Sequence, residues 1–449
     1  MMRFSALTVL AALTALPAVA STPITLDQAM ADPDWIGNPI EQAWWSWDGK
    51  QVLYKQKRTG AAVRDTWAID GHGRQAGARQ VSDADLAKLD SPDLVYDRAR
   101  TRAIELRNGD LFERDLKSGA LVQITRGVED RIRDMQYSSD ERAVQFRAGD
   151  DWFSWDRAGR LVAPVTLLRA AKDPKAQAPD ALRDMQLRLS TILQRQKDNR
   201  DAVRAQAEAQ RRADPTRGPE PIYLGDKTAI LDSHLSPDGR WLLVVTGPKD
   251  ADKGRIGKMP RYVTESGYEE FSDERTRVGR NAPRGHGLKL IDLATRDVKD
   301  LSLDTLTGIA VDPLAQMRAE RKLDALKGNR PVTIGFQGEA ITWSQNGLNA
   351  AVMFRSVDNK DRWIATVDLA RAALKPAHHT SDAAWVNYDN SEFGWLPDGG
   401  TLWFLSEESG YSHLYTIDAA GRTRALTSGK WEASDVAWSA DGQTAWVMC

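Results

Sequence analysis

The chain has 449 residues, of which 41% are hydrophobic and 28% charged, with a net charge of −2. This is the composition of an ordinary globular protein with ample core, and its balanced charge gives no electrostatic basis for binding nucleic acid. The one cysteine, Cys449, is the last residue, which excludes an intrachain disulfide.

The N-terminal stretch Met1-Met2-Arg3, an apolar run from Phe4 to Leu16, and Ala18-Val19-Ala20 before Ser21 read as a secretory signal peptide over residues 1–20. The apolar run is too short to span a bilayer, and no later segment is long enough, so no transmembrane segment is expected. The chain is accordingly expected to be exported, to the periplasm or the medium. Residues 21–40 read as a lead-in segment with a short helix.

From residue 41 a pattern recurs. An apolar run ends in a Ser-x-Asp-Gly or Pro-Asp-Gly turn, and a strand rich in aromatic and aliphatic residues follows. The copies are Trp45-Ser46-Trp47-Asp48-Gly49, Leu235-Ser236-Pro237-Asp238-Gly239, Trp343-Ser344-Gln345-Asn346-Gly347, Trp395-Leu396-Pro397-Asp398-Gly399 and Trp438-Ser439-Ala440-Asp441-Gly442. Weaker copies lie at Tyr137-Ser138-Ser139-Asp140 and Val95-Tyr96-Asp97. Asp bonds back to the backbone and Gly accepts positive φ, so each cue predicts a tight turn between antiparallel strands. A third strand with an Ile-Asp or Asp-Leu ending follows several copies, as at Leu414-Tyr415-Thr416-Ile417-Asp418. Meanders repeated every ~40–50 residues are the signature of propeller blades. A two-sheet sandwich, the other fold built from short strands, does not require a repeated aromatic turn cue. The expected fold class is all-β: a β-propeller of six recognisable blades and an incomplete seventh, occupying residues 41–449. The cue also accounts for sixteen Trp against nine Phe, since about half of the tryptophans sit in or beside it.

Residues 167–223 break the pattern and read as a helical insertion after the third blade. Leu182, Met185, Leu189 and Ile192 fall at helical spacing, which predicts one apolar face packed against something. Beyond Val203 the sequence turns polar, and eight Arg or Lys face four Asp or Glu between Arg183 and Arg212, suiting a solvated surface. The fourth repeat carries a polar excursion from Lys249 to Gly287, and the seventh stops at Cys449 inside its second strand.

The stretch Phe404-Leu405-Ser406-Glu407-Glu408-Ser409-Gly410-Tyr411-Ser412-His413-Leu414-Tyr415-Thr416-Ile417-Asp418, with Trp395-Leu396-Pro397-Asp398-Gly399 before it, resembles a blade of the dipeptidyl peptidase IV branch of the prolyl oligopeptidase family of serine peptidases. The resemblance implies an exported exopeptidase or oligopeptidase in which an N-terminal propeller caps a C-terminal α/β-hydrolase domain and filters the peptides that reach the serine. It implies a peptide substrate, that hydrolase domain as partner, and no cofactor. It also implies that a glutamate pair on a propeller excursion holds the peptide's amino terminus. Tyr268-Glu269-Glu270 in the fourth repeat matches that pattern, making Glu269 and Glu270 the candidate substrate-binding residues; the nearby Arg275, Arg277 and Arg280 equally suit a solvated charge cluster.

Catalytic residues are not expected in these 449 residues. No Gly-x-Ser-x-Gly occurs, and that pattern is what places a nucleophilic serine on a strained strand-to-helix turn. In Gly410-Tyr411-Ser412-His413-Leu414 the second glycine is replaced and a strand follows, so Ser412 reads as a loop residue. The chain is therefore expected to be inactive by itself, as a family member lacking its hydrolytic domain. The alternative is a stand-alone periplasmic propeller that binds a protein or peptide. His378-His379 lacks the spacing of a metal pair, and Glu407-Glu408 reads as a solvent-exposed loop pair.

Overall fold

The structure is a computed structural model that describes residues 24–71, 77–175, 180–214, 217–251, 254–276, 284–335 and 340–449. The signal-peptide reading of residues 1–20 lies outside these. Two compact units divide the chain, Met1–Pro92 and Asp93–Cys449.

The first unit holds one four-stranded antiparallel sheet, Ile40–Trp45, Gln51–Lys57, Arg64–Asp70 and Arg79–Gln80, paired in chain order. Leu53, Ala68 and Val81 are buried, with Trp44 and Leu89 packed against them. A short helix, Leu26–Met30, precedes the sheet and begins with a capping box in which Thr25 and Gln28 satisfy each other's backbone N–H groups.

The second unit is a run of antiparallel meanders in chain order, built from residues 95–123, 132–166, 228–300, 332–381, 393–425 and 434–448. The fold is all-β, of propeller type. Its core lies between consecutive sheets. In the fourth, fifth and sixth blades the second strand is largely apolar because both of its faces are covered. In Ala350–Ser356, Val352 and Phe354 pack with Leu243, Val245 and Leu290 of the preceding blade, whereas Ala351 and Met353 pack with Phe404 and Tyr415 of the following one. In Trp241–Pro248, Leu242 and Val244 meet Trp152 on one side, while Leu243 and Val245 meet Phe354 on the other. Alternate residues thus serve two neighbours, the period-2 geometry of a strand buried on both faces. The fully buried tryptophans keep their N–H groups satisfied: Trp152 Nε1 donates to Ser233 Oγ at 2.9 Å and Trp363 Nε1 to the Thr307 carbonyl at 2.8 Å.

The repeated cue forms a hydrogen-bonded clip. The Ser46, Ser138, Ser236 and Ser439 hydroxyls each donate to the Asp two residues on, and Ser344 donates to Asn346. Each hydroxyl also accepts the N–H that opens the next strand, at 2.8 to 3.0 Å. In the second unit these turns touch from blade to blade. Ser139 N–H donates to the Pro237 carbonyl at 2.7 Å, and Asn349 Nδ2 donates to the Gly399 carbonyl at 2.7 Å. A Cβ on Gly347 would come within 2.8 Å of the Asp238 nitrogen.

Two excursions leave this frame. Leu168–Arg169 pairs in parallel with Ile222–Tyr223, joining the two ends of the segment that carries the helices Ala181–Leu189 and Thr191–Ala213. Ser190 ends the first helix and caps the second, accepting from Leu193 N–H. Leu182, Met185, Leu189 and Ile192 are exposed, so the packed face expected there has no cover within the described residues. The second excursion is a hairpin, Ile256–Arg261 with Glu270–Thr276, inserted between the second and third strands of the fourth blade.

The weak copies of the cue show what glycine contributes. Gly49, Gly239, Gly347, Gly399 and Gly442 have φ between 66° and 75°, but Arg100 and Glu141 occupy the same position with φ of 50° and 56°. A side chain there costs about 1 to 2 kcal/mol. Arg100→Gly should therefore raise stability by about 1 kcal/mol, offset partly by loss of its contact over the Tyr96 ring. Gly347→Ala should lower it by about 1 to 3 kcal/mol, since strain and the Asp238 backbone contact act together. Urea midpoints of the two variants check both signs.

Candidate functional site

Glu269 and Glu270 lie at the tip and first strand position of the excursion hairpin. Glu270 is paired in register with Arg261, and its Oε1 accepts from Ser266 Oγ at 2.9 Å. Both carboxylates are exposed, as are Tyr262, Val263, Tyr268 and Phe271 around them. The pair is thus carried outside the blade on a two-stranded ribbon, in water.

The other acidic pair is placed differently. The connections that leave Ala350–Ser356, Ala373–Ser381 and Leu402–Ser406 gather at one end of the fifth and sixth blades. There Glu407 is half-buried and accepts from Asn387 Nδ2 at 3.2 Å, while Glu408 sits 3.3 Å from His378 Nε2. The expectation that Glu407-Glu408 is simply solvent-exposed therefore fails for Glu407. The reason is tertiary: the 382–392 segment, arriving from the fifth blade, lies over it.

Below this pair sit two arginines. Arg355, at the end of one strand, is directly opposite Arg362, at the start of the next, and both are buried. Arg355 stacks on Tyr388 with its guanidinium carbon 4.6 Å from the ring centre, and its Nη2 donates to the Tyr388 carbonyl at 3.4 Å. Arg362 Nη1 donates to the Asn390 carbonyl at 3.2 Å. Burial, with Arg355 beside it, brings Arg362 down to about 10, and Glu407 only partly opposes this. Asp361 is committed elsewhere, 2.7 Å from both Arg330 Nη1 and His379 Nε2.

The adjacent histidines split across the strand. His379 stacks on Trp363 at 5.4 Å between centroids, and His378 packs on Phe404 of the next blade at 4.4 Å. Burial, then Arg362 and His379, bring His378 down to about 4, and the half-exposed Glu408 carboxylate does not offset them. Among the described residues no group of three or more His, Cys, Asp or Glu side chains is placed to hold a metal ion, and no helix is long and apolar enough to cross a membrane.

Ser412 is a buried loop residue before the strand His413–Ile417, and its hydroxyl donates to the Ala433 carbonyl at 2.8 Å. His413 is 3.1 Å from Thr427 Oγ1 through Nδ1 and 3.1 Å from the Gly429 carbonyl through Nε2. The two side chains are each bonded to other partners and form no proton-transfer pair.

The family model described as the dipeptidyl peptidase IV (DPP IV) N-terminal region matches residues 339–448. Residues 339–448 thus resemble a dipeptidyl peptidase IV N-terminal region. The matched part spans the fifth, sixth and seventh sheets, including the whole arginine and glutamate cluster. Similar solved structures include dipeptidyl peptidase 4 of Porphyromonas gingivalis, 14% identical with a TM-score of 0.46, covering 94% of this chain and 51% of that one. A dipeptidyl aminopeptidase IV of Bacteroides ovatus, described as putative, is 10% identical with a TM-score of 0.43, covering 89% and 48%. TolB of Acinetobacter baumannii is 13% identical with a TM-score of 0.32, covering 84% and 63%. The chain spans about half the length of the two peptidases. No curated protein matches it.

Arg355 and Arg362 were not legible as a pair from the sequence. Each interrupts an apolar run at a strand end, in Met353-Phe354-Arg355 and Asp361-Arg362-Trp363, and only the hairpin register sets them opposite one another.

The depressed His378 makes the fold pH-sensitive. The unfolded imidazole binds its proton near pH 6.5 and the folded one only near 4, so stability falls as pH drops through that window. At 1.36 kcal/mol per unit the loss approaches about 3 kcal/mol. His378→Asn should flatten this part of the stability–pH curve, as read from urea midpoints between pH 7 and 4.

Proposed function

We propose that this chain is the substrate-gating propeller portion of an exported serine exopeptidase or oligopeptidase of the dipeptidyl peptidase type. The observation that carries the reading is the match of residues 339–448 to the DPP IV N-terminal region. The meander architecture suits the role, because rigid sheets packed face to face can hold loops as a fixed filter beside a catalytic centre. On this reading the hydrolytic serine belongs to an α/β-hydrolase domain, and the propeller chooses which peptides reach it. Glu269 and Glu270 would receive the peptide's amino terminus. Since both carboxylates lie open to water on the hairpin, recognition of an ammonium group there needs a second wall from the peptidase to exclude solvent.

The test uses native protein recovered from cell fractions with antibodies against this chain. A fluorophosphonate probe should label a serine in the recovered material, and that material should cleave Xaa-Pro chromogenic dipeptides. Both should concentrate in the exported fraction, whereas the purified 449-residue chain should show no turnover. Recovered protein that neither labels nor cleaves peptides would overturn the peptidase reading.

A further inference from the structure

The helical insertion of the second unit carries its apolar side chains outward. Its two ends are joined where Leu168–Arg169 pairs with Ile222–Tyr223, and Lys175 holds both Glu208 of the second helix and Glu220. From Glu208 back to the helix start at Thr191 is about 25 Å of helix at 1.5 Å per residue, so Ser190 lies at the end remote from that anchor. Around Ser190, Leu182 is 62% exposed, Met185 50%, Leu189 77% and Ile192 69%. Leu182, Met185 and Leu189 share one face of the first helix, and Ile192 shares a face of the second with the exposed Val203. Large apolar side chains gathered in water mark a contact surface. The charge beside them is positive. Between Arg183 and Arg212 eight Arg or Lys stand against four Asp or Glu, in a chain of net charge −2. At about 3.6 residues per turn, Asp184 falls away from the apolar face of its helix and Asp201 from that of Ile192, whereas Arg195 lies beside Ile192. Arg183 pairs with Asp184 and Lys197 with Asp201, but Arg188, Arg195 and Arg200 take no ion pair among the described residues. Between the helices a cleft of about 420 Å³ has both Leu187 and Leu193 and the cations Lys197 and Arg200 in its lining.

We propose that this two-helix arm docks on the surface of an anionic lipid bilayer, with Met185, Leu189 and Ile192 entering the interface and Arg188, Arg195 and Arg200 meeting the headgroup phosphates. A bilayer surface takes a few apolar side chains to a shallow depth and gathers cations beside them, without demanding a shaped groove. A second copy of the chain fits less well, because a two-fold contact brings the same arginines of both copies to one interface. An acidic partner helix needs an unbroken apolar stripe, and on the second helix Arg195, Gln196 and Asn199 separate Ile192 from Val203. Among the described residues no helix is long and apolar enough to cross a membrane, so the contact is with the surface. The inference rests on no part of the peptidase reading, since it concerns only the exposed face and charge of the insertion.

The test is flotation of the purified chain with lipid vesicles. The chain begins at Ser21, which keeps every described residue and omits the apolar run of residues 4–16, so that run cannot itself bind lipid. Vesicles of phosphatidylcholine alone are compared with vesicles containing about one third phosphatidylglycerol. Binding should be about tenfold or more stronger on the anionic vesicles and should weaken by about tenfold from low to high salt. Leu189→Glu combined with Ile192→Glu should abolish binding at an unchanged melting temperature, because both side chains are already in water. Arg188→Gln combined with Arg195→Gln should weaken binding to the anionic vesicles by about tenfold and leave binding to the neutral ones unaltered. Equal binding to both kinds of vesicle, or binding that persists in the double glutamate variant, would overturn the proposal. So would a dimer that the two glutamates dissolve, seen by sedimentation without any flotation, or an acidic model helix bound in preference to the vesicles.

Discussion

The serine hydroxyl that clips four of the second unit's six blade turns is an interaction on which that unit depends. It donates to the Asp or Asn two residues on and accepts the first N–H of the next strand, so one oxygen fixes both the turn and the start of the register. A strand pair slipped by one residue would exchange its faces, and here both faces are core. Val352 would then turn towards the sixth blade and Met353 towards the fourth, mixing two packed layers. The clip therefore protects two sheet interfaces at once. Where threonine replaces serine at a different offset, as at Thr401 with Asp398 and Thr101 with Asp97, the same closure is reached from the other side of the turn.

Because the turns also touch each other, the frame is stiff where the clips lie. The opposite ends of the sheets are left to the connections that differ most between blades. The arginine and glutamate cluster lies at such an end, on strands held rigidly by Trp363, Phe354 and Phe404. A packed scaffold of this kind keeps the two arginines in register where a loose one would let the side chains swing apart. The excursion hairpin has the opposite character: a two-stranded ribbon with its large side chains in water and no sheet face behind it.

The sequence by itself determined the blades, since the aromatic turn cue and the strand lengths are local chemistry, and the Asp-Gly of each cue takes the same turn. It showed the excursion in the fourth repeat and set Ser412 in a loop for the same reason. It could not place side chains that meet across strands or across blades. Glu407 and Glu408 are neighbours in sequence, yet one lies against the buried arginines and the other against His378, because the 382–392 segment covers only the first. Arg355 and Arg362 become a pair solely through hairpin register, and the exposure of Glu269 and Glu270 follows from where their ribbon leaves the sheet. Local propensity is written residue by residue, whereas burial and charge balance are properties of what the folded chain brings alongside.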